Sequence, residues 1–429
     1  MRKLFVLFAL MVVAGTGWAQ TKSAFDEIKE NPAKSGGVYY AYPVPTQKLT
    51  PAPKGYKVFY ISHYGRHGSR YLLSDRDYSN LLNNLRKAND ANVLTDLGKD
   101  ALRRMELVWE EAEFHGDELA PLGRRQHRGI AERMFNNFPE LFKKGAKVSA
   151  RSTTSMRVAL SMMAFVERLK ELNPKLDLTW ETTNKNMKYL NSHTQRYNQL
   201  KNNFFSGWRK IHNDFCARGI SADRFVTQLF SDTTYFSTAK LSKNSLMTSF
   251  FNVAVGLQDM ETDVSFYDLS TTEELYQQWL NDNSWFYNND ANSPHNEGTA
   301  MESTIPLLQN IIDGANAAIE GRSQETATLR FGHDGNIIPL AAIMHLKGCD
   351  AVVSDLNKMT DVWQNYYVSP MGANIQLVFF RKGDDVIVKF LLHEVETSIP
   401  IETDMYPYYH WKDVEKMFME DINRDWGKK

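Results

Sequence analysis

The stretch 61-ISHYGRHGSR-70 follows the apolar run Val58-Phe59-Tyr60, so a buried strand delivers Arg66, His67 and Arg70 to its carboxyl end. Two later segments repeat the plan. Val148-Ser149-Ala150 leads to Arg151, and Leu329-Arg330-Phe331 leads to His333-Asp334, each followed by residues with helical spacing. Strand, basic or imidazole group, then helix, three times over, predicts an α/β core. Ligands of open α/β sheets sit at the carboxyl ends of strands, so these groups converge if the strands are neighbours.

Three arginines and two histidines around one point suit a compact dianion. Guanidinium forks match phosphate oxygens two at a time, which makes a phosphoryl group the natural occupant. Gly68 would let the backbone approach closely beside His67. The chain has no HExxH or CxxC metal motif, so no cofactor or metal is expected and charge neutralisation falls to the arginines. His67 is then the nucleophile, and Asp334 the acid for the departing oxygen.

Composition narrows the partners. In 429 residues, 50 Lys and Arg face 51 Asp and Glu, a formal charge of −1, with 42% hydrophobic residues. This excludes a global attraction to nucleic acid or anionic lipid, and points to a folded chain whose anion binding is local. Residues 1–19 combine Arg2-Lys3, the apolar run Leu4 to Val13 and small residues up to Ala19, the pattern of a cleavable signal peptide. The expected location is therefore periplasmic or secreted, and no later stretch is long enough for a membrane span. Gln20 in place of Cys argues against a lipid anchor. Cys216 and Cys349 allow one disulfide or two unpaired thiols.

Along the chain, residues 20–55 read as a Pro- and Lys-rich surface wrap. Helices are expected over 94–114 and 121–135, then a strand through Ala150 and a helix capped by Thr153, Thr154 or Ser155. Residues 184–322, rich in Asn, Gln and aromatics, read as an α-helical insertion into an α/β core formed by 56–183 and 323–429. Near the end, 382-KGDD-385 joins two β-rich runs as a hairpin.

Arg66-His67-Gly68-Ser69-Arg70 resembles the RHGxR signature of the histidine phosphatases. Gly332-His333-Asp334-Gly335-Asn336 resembles the HDxN motif of their acid-phosphatase and phytase branch. Similar too are Leu119 to Gln126 and the set Arg151, Thr154, Arg157 and Ser161, so the likeness runs from about Tyr56 to about Glu394. The resemblance implies an α/β core with a helical insertion and a His67 that becomes transiently phosphorylated. It also implies that Arg66, Arg70, Arg151 and His333 hold the phosphate oxygens while Asp334 protonates the leaving alcohol. The whole is most similar to multiple inositol polyphosphate phosphatases, many of which carry His-Ala-Glu where this chain has His333-Asp334-Gly335, the version of bacterial phytases and glucose-1-phosphatases. Leu72 stands where the family often has proline.

The expected partner is a small phosphomonoester. Between Thr182 and Asn213 lie Lys185, Lys188, Arg196, Lys201, Arg209 and Lys210 with no acidic residue, which would suit a polyphosphorylated ligand if this run roofs the pocket, and otherwise reads as a solvated helix face. Lys185, Lys188 and Arg76 are the candidate substrate-binding groups. Competing readings are a sugar-phosphate phosphatase, phosphoryl transfer to another alcohol, and a binding protein without turnover. Among other residues, His63 is expected as a buried hydrogen-bonded histidine, His127 on an exposed basic face, and Phe204, Phe205 and Trp208 in the core of the insertion.

Overall fold

Four strands of the sheet run parallel and end together on one edge. The computed structural model describes residues 22–205 and 207–427, so the expected signal peptide lies outside the described residues. β1 (Lys57–Arg66), β2 (Lys147–Ser152), β3 (Asp177–Thr182) and β4 (Glu325–Gly332) lie in the order β3-β2-β4-β1, all parallel. β5 (Asn374–Lys382) and β6 (Asp385–Leu392) continue antiparallel beyond β1, joined by the expected tight turn, with Gly383 at φ 60°. β7 (Val395–Glu396) and β8 (Tyr408–His410) both pair with β6. Arg66 pairs with Gly332 and Ser152 with Phe331, so the three motif-bearing strands finish within one residue of each other.

Alternation along the strands sorts the two faces of the sheet. Ile61, Val148, Ala150, Ala327, Leu329 and Phe331 meet Ile130 and Met134 of the helix Pro121–Asn137 and Val158, Met162 and Phe165 of the helix Met156–Leu172. Tyr60 and Tyr64 point the other way, into a core with Leu308 and Ile311 of the helix Thr299–Ile319 and Ile337 and Ile338 of the helix Asp334–Ile343. The result is an α/β core with helices on both faces.

Residues 184–319, between β3 and β4, are helical with no strand among the described residues. Their packing divides between two neighbours. Phe225, Leu229 and Phe250 share a core with Leu81, Leu85 and Met105, whereas Tyr287, Met301 and Leu308 join the sheet core. Trp208 is buried, but Phe204 and Phe205 are 54% and 90% exposed, contrary to expectation. Arg209 draws Phe204 outward as one wall of a cation–π stack, its guanidinium 4.2 Å from that ring and 4.3 Å from Trp285.

The wrap at 20–55 carries a helix, Ala24–Glu30, and a 3-10 segment, Pro32–Tyr39, before its irregular run. His127 is 1% exposed rather than on the surface: it lies on the inner side of its helix, its ring 5.7 Å from Phe331. His63 is buried between Phe165 and Phe331. Both cysteines are free thiols. Among the described residues no helix is long and apolar enough to cross a membrane.

Candidate active site

Arg66 ends β1 fully buried, with its charge distributed among three acceptors. Nη1 donates to the carbonyls of Val38 and Ser369, and Nη2 donates to Asp334 Oδ2 across 2.9 Å. The His67 amide donates to Gly332 O at 3.0 Å, tying the loop to the end of β4. On the ring, Nδ1 lies 2.9 Å from Gly68 O. A carbonyl only accepts, so Nδ1 carries the hydrogen and Nε2 keeps its lone pair. Burial, then the charges of Arg66, Arg70 and Arg157, hold the His67 pKa well below the usual histidine value, and the imidazole stays neutral.

Gly68 is required by contact rather than by backbone angle. A Cβ there would sit 2.6 Å from both Cα and O of Gly123, where the helix Pro121–Asn137 begins. The Gly68 amide donates to Ser161 Oγ at 3.1 Å, and that hydroxyl donates to Arg157 O at 2.8 Å. Ser69 is held on two sides: its amide donates to Gln126 Oε1 at 2.9 Å and its hydroxyl to Asp259 Oδ1 at 2.6 Å. Leu72, in the family's proline position, is buried against Gly256.

At the end of β4, His333 is the N-cap and Asp334 the first residue of the helix Asp334–Ile343. Burial alone would raise the Asp334 pKa. Arg66, His333, Arg70 and the Gly335 amide, which donates at 2.8 Å, outweigh it and hold the carboxyl at about 2. The His333 ring stands 5.9 Å from that of His67, with Nε2 3.1 Å from Thr153 Oγ1 and Nδ1 3.4 Å from Arg157 Nη2. Burial lowers its pKa to about 4. Thr153 thus turns to His333, and the helix Met156–Leu172 starts at Ser155 without the side-chain cap expected there.

Arg151 does not join this cluster. It faces the side of the sheet occupied by its register partner Arg330, and its Nε donates to Glu181 Oε1 at 3.0 Å. Arg157, in the first turn of the following helix, comes in instead, through its contact with His333 and its charge on His67. Asp117 steadies it with both carboxylate oxygens, at 2.7 and 2.8 Å. The sequence already showed Arg157; the missing step was that a helix N-terminus, not the strand end, aims its side chain across the sheet edge.

Of the remaining candidates, Arg76 is exposed in the first turn of the helix Asp75–Asp90, and Lys185 and Lys188 are exposed on the helix Asn184–Leu190; no contact ties them to the cluster among the described residues. Sequence reasoning missed Asp259, Asp117 and Tyr39, whose ring lies 4.8 Å beneath the Arg70 guanidinium. No spacing signal marks them, because each comes from a separate segment distant in sequence from the motif strands.

Arg66, Arg70 and Arg157 each keep a buried Nε–H without a protein partner. Orphan buried donors on three cations are costly unless an anion shares them. With a neutral imidazole and a carboxyl at the same point, the arrangement can bind a tetrahedral oxyanion and attack it from His67 Nε2.

The description "Histidine phosphatase superfamily (branch 2)" matches residues 65–393. No curated protein matches. Among solved structures, the multiple inositol polyphosphate phosphatase of Bifidobacterium longum in complex with phosphate superposes with a TM-score of 0.74 at 18% identity, over 91% of this chain and 98% of that one. The phytase of D. castellii gives 0.69 at 14% identity (95% and 90%), and the apo Hafnia alvei phytase 0.54 at 13% (86% and 98%). At these identities the likeness establishes the fold.

Proposed function

Because the chain belongs to branch 2 of the histidine phosphatase superfamily, with both motif loops inside the matched span of residues 65–393, we propose that it hydrolyses phosphomonoesters through a phosphohistidine at His67. The observation that carries this is the combination of a lone pair on Nε2, fixed by the Nδ1 contact with Gly68 O, and three unpartnered guanidinium Nε groups beside it.

Arg66, Arg70, Arg157 and His333 hold the non-bridging oxygens. Nε2 of His67 attacks phosphorus, and the bond to the ester oxygen breaks in line. Asp334 gives its proton to the departing alcohol. Water then attacks phosphorus, Asp334 takes the water's proton, the P–N bond breaks to release phosphate and restore the lone pair, and Asp334 passes the proton to the departing phosphate, returning ionised. With its carboxyl held at about 2, Asp334 does not hold this proton beforehand. The proton arrives with a monoanionic substrate and passes to Asp334 as phosphate charge cancels the pull of Arg66.

For substrate, inositol polyphosphates are the first reading. It is supported by the exposed Lys185 and Lys188 and by Lys201, whose charge acts on His193 and, through it, near His333. A specific observation favours a sugar phosphate as the second reading: half of the basic run is already occupied. Arg196 pairs with Glu297 and Glu302, Lys210 with Asp214, and Arg209 lies among aromatic rings. Export after cleavage at Ala19 completes the proposal, and a mature chain beginning at Gln20 is its check.

Phosphate release from phytate, glucose 1-phosphate and an aryl phosphate tests the reading, together with acid-labile phosphate trapped on the protein by rapid quenching. His67→Ala is expected to lose about 10⁴-fold or more. Equal rates for wild type and variant would overturn the mechanism, and binding without release would favour a non-catalytic binding protein.

A further inference from the structure

The family-matched span begins at residue 65, yet two arginines of the site are held from upstream of it. Val38 O accepts from Arg66 Nη1, and the next residue, Tyr39, puts its ring under the Arg70 guanidinium at 4.8 Å. The segment that carries them is wedged in place. A Cβ on Gly36 would meet Gln258 Nε2 at 2.7 Å; on Gly37, at φ 56°, it would meet Asn365 Nδ2 at 2.6 Å and Asp282 Oδ2 at 2.8 Å. Past Tyr39, Tyr40 O accepts from Met371 N at 2.8 Å, Ala41 N donates to Gln258 Oε1 at 3.0 Å, and the Tyr42 hydroxyl donates to Glu394 Oε2 at 2.8 Å. Tyr39 is therefore anchored on both sides.

Tyr39 acts on Arg70 through its hydroxyl as well as its ring. Arg70 Nη1 donates to Tyr71 O at 2.8 Å, and its Nε is buried without a partner. A guanidinium held over an aromatic ring keeps N–H donors available for bidentate bonding, so the Tyr39 contact helps fix where Arg70 meets an oxyanion.

We infer that Tyr39 is a positioning residue for the anion-binding fork of Arg70, and that residues 32–42 are a working part of the site rather than a leader to it. The inference rests on the phosphatase reading only in taking phosphate as the anion.

Inorganic phosphate binding to the full-length protein, followed by calorimetry, tests it together with kcat and KM on an aryl phosphate. Tyr39→Phe keeps the ring but removes the hydroxyl that also acts on Arg70, and is expected to lose less phosphate affinity than Tyr39→Leu, which weakens phosphate binding and raises KM about tenfold with a smaller change in kcat. In an Arg70→Lys background, which removes the planar fork, Tyr39→Leu adds no further loss. Wild-type phosphate affinity in Tyr39→Leu, even with a lowered melting temperature, overturns the inference, as does a full additional loss in the Arg70→Lys background. Should Tyr39→Leu not fold, Tyr39→Met, which refills the volume without a ring, carries the same expectations. Failure of the phosphatase reading shows separately, as a wild type that binds phosphate but releases none from esters; the Tyr39 comparison is decided by binding in either case.

Discussion

Arg66 Nη2 and Asp334 Oδ2 meet across 2.9 Å, although 268 residues separate them in the chain. The contact joins the carboxyl ends of β1 and β4 and fixes the charge state of the acid. Held at about 2, Asp334 is ionised at any ordinary pH before substrate binds, and His67, pushed well below its usual value, is neutral.

The alkaline limb of kcat/KM should therefore belong to the substrate. Phosphomonoesters lose their second proton near pH ~6, and only the monoanion brings the proton that Asp334 must deliver. Activity should fall above about that pH with unit slope. Measured on two esters with different second pKa values, the limb should move with the ester; a limb fixed for both would place the titrating group on the protein. Asp334→Asn should lose more rate on an alkyl phosphate than on an aryl phosphate, whose leaving group needs no proton.

Removing Arg151 of β2 or Arg157 of the helix that follows it, one at a time, separates the sheet from the site. Arg157 contacts His333 and keeps a buried unpartnered Nε, so Arg157→Ala should cost about 10²- to 10³-fold in kcat/KM, the size of a lost oxyanion donor. Arg151 serves a partly exposed pair with Glu181, with side chains 31% and 43% accessible, and Arg151→Ala should stay within about tenfold. Steady-state kinetics on both variants decides it; the reverse order would return Arg151 to the site.

This contrast also shows how far the sequence could be read. Arg66, His67 and Arg70, and His333 with Asp334, were legible because strand ends point at one edge and the motifs lie within a few residues of those ends. The three motif-bearing strands and the terminal hairpin followed from periodicity and turn chemistry, and the helical reading of 184–322 from its composition, whereas β3, β7 and β8 were not anticipated. Arg151 misled because side-chain direction depends on strand parity: register with Arg330 sends it to the far face. His127 misled for a similar reason. Its neighbours Arg124, Arg125 and Arg128 are basic, but the helix turns it inward onto Phe331. Asp259 and Tyr39 reach the motif loop only through tertiary packing, which no local pattern encodes.

The approach of Gly68 to Gly123 should be intolerant of a single methyl group. Both contacts at 2.6 Å are with backbone, one side being the motif loop and the other a helix start, so neither can yield without moving His67. Gly68→Ala should lose about 100-fold in kcat, the usual effect of misplacing a reacting group by roughly 1 Å, together with about 1–3 kcal/mol of stability. Gly123→Ala, whose Cβ would meet Ser69 O at 2.2 Å, should behave alike. Full activity with an unchanged melting temperature in either variant would show that the close approach is not needed.

Asp259 makes stability pH-dependent. Burial raises its pKa to about 8, and the Ser69 hydroxyl, Arg70 and Arg66 offset this only in part; Oδ2 is buried without a partner. A folded-state pKa above the unfolded one means that the native protein keeps a proton that the unfolded chain has released. The stabilising contribution is thus fully present below the unfolded value near pH ~4, falls as pH rises, and is gone once pH has passed the folded value of about 8. Asn at this position cannot ionise, yet its Oδ1 still accepts from Ser69 Oγ. The melting temperature of Asp259→Asn minus that of wild type should therefore climb steadily from about pH 4 to about pH 8 and then level off. A difference that stayed constant over that range would mean that Asp259 is already ionised, paired with the charges of Arg66 and Arg70, and that the loop carrying His67 is held by an ion pair rather than by a neutral acid.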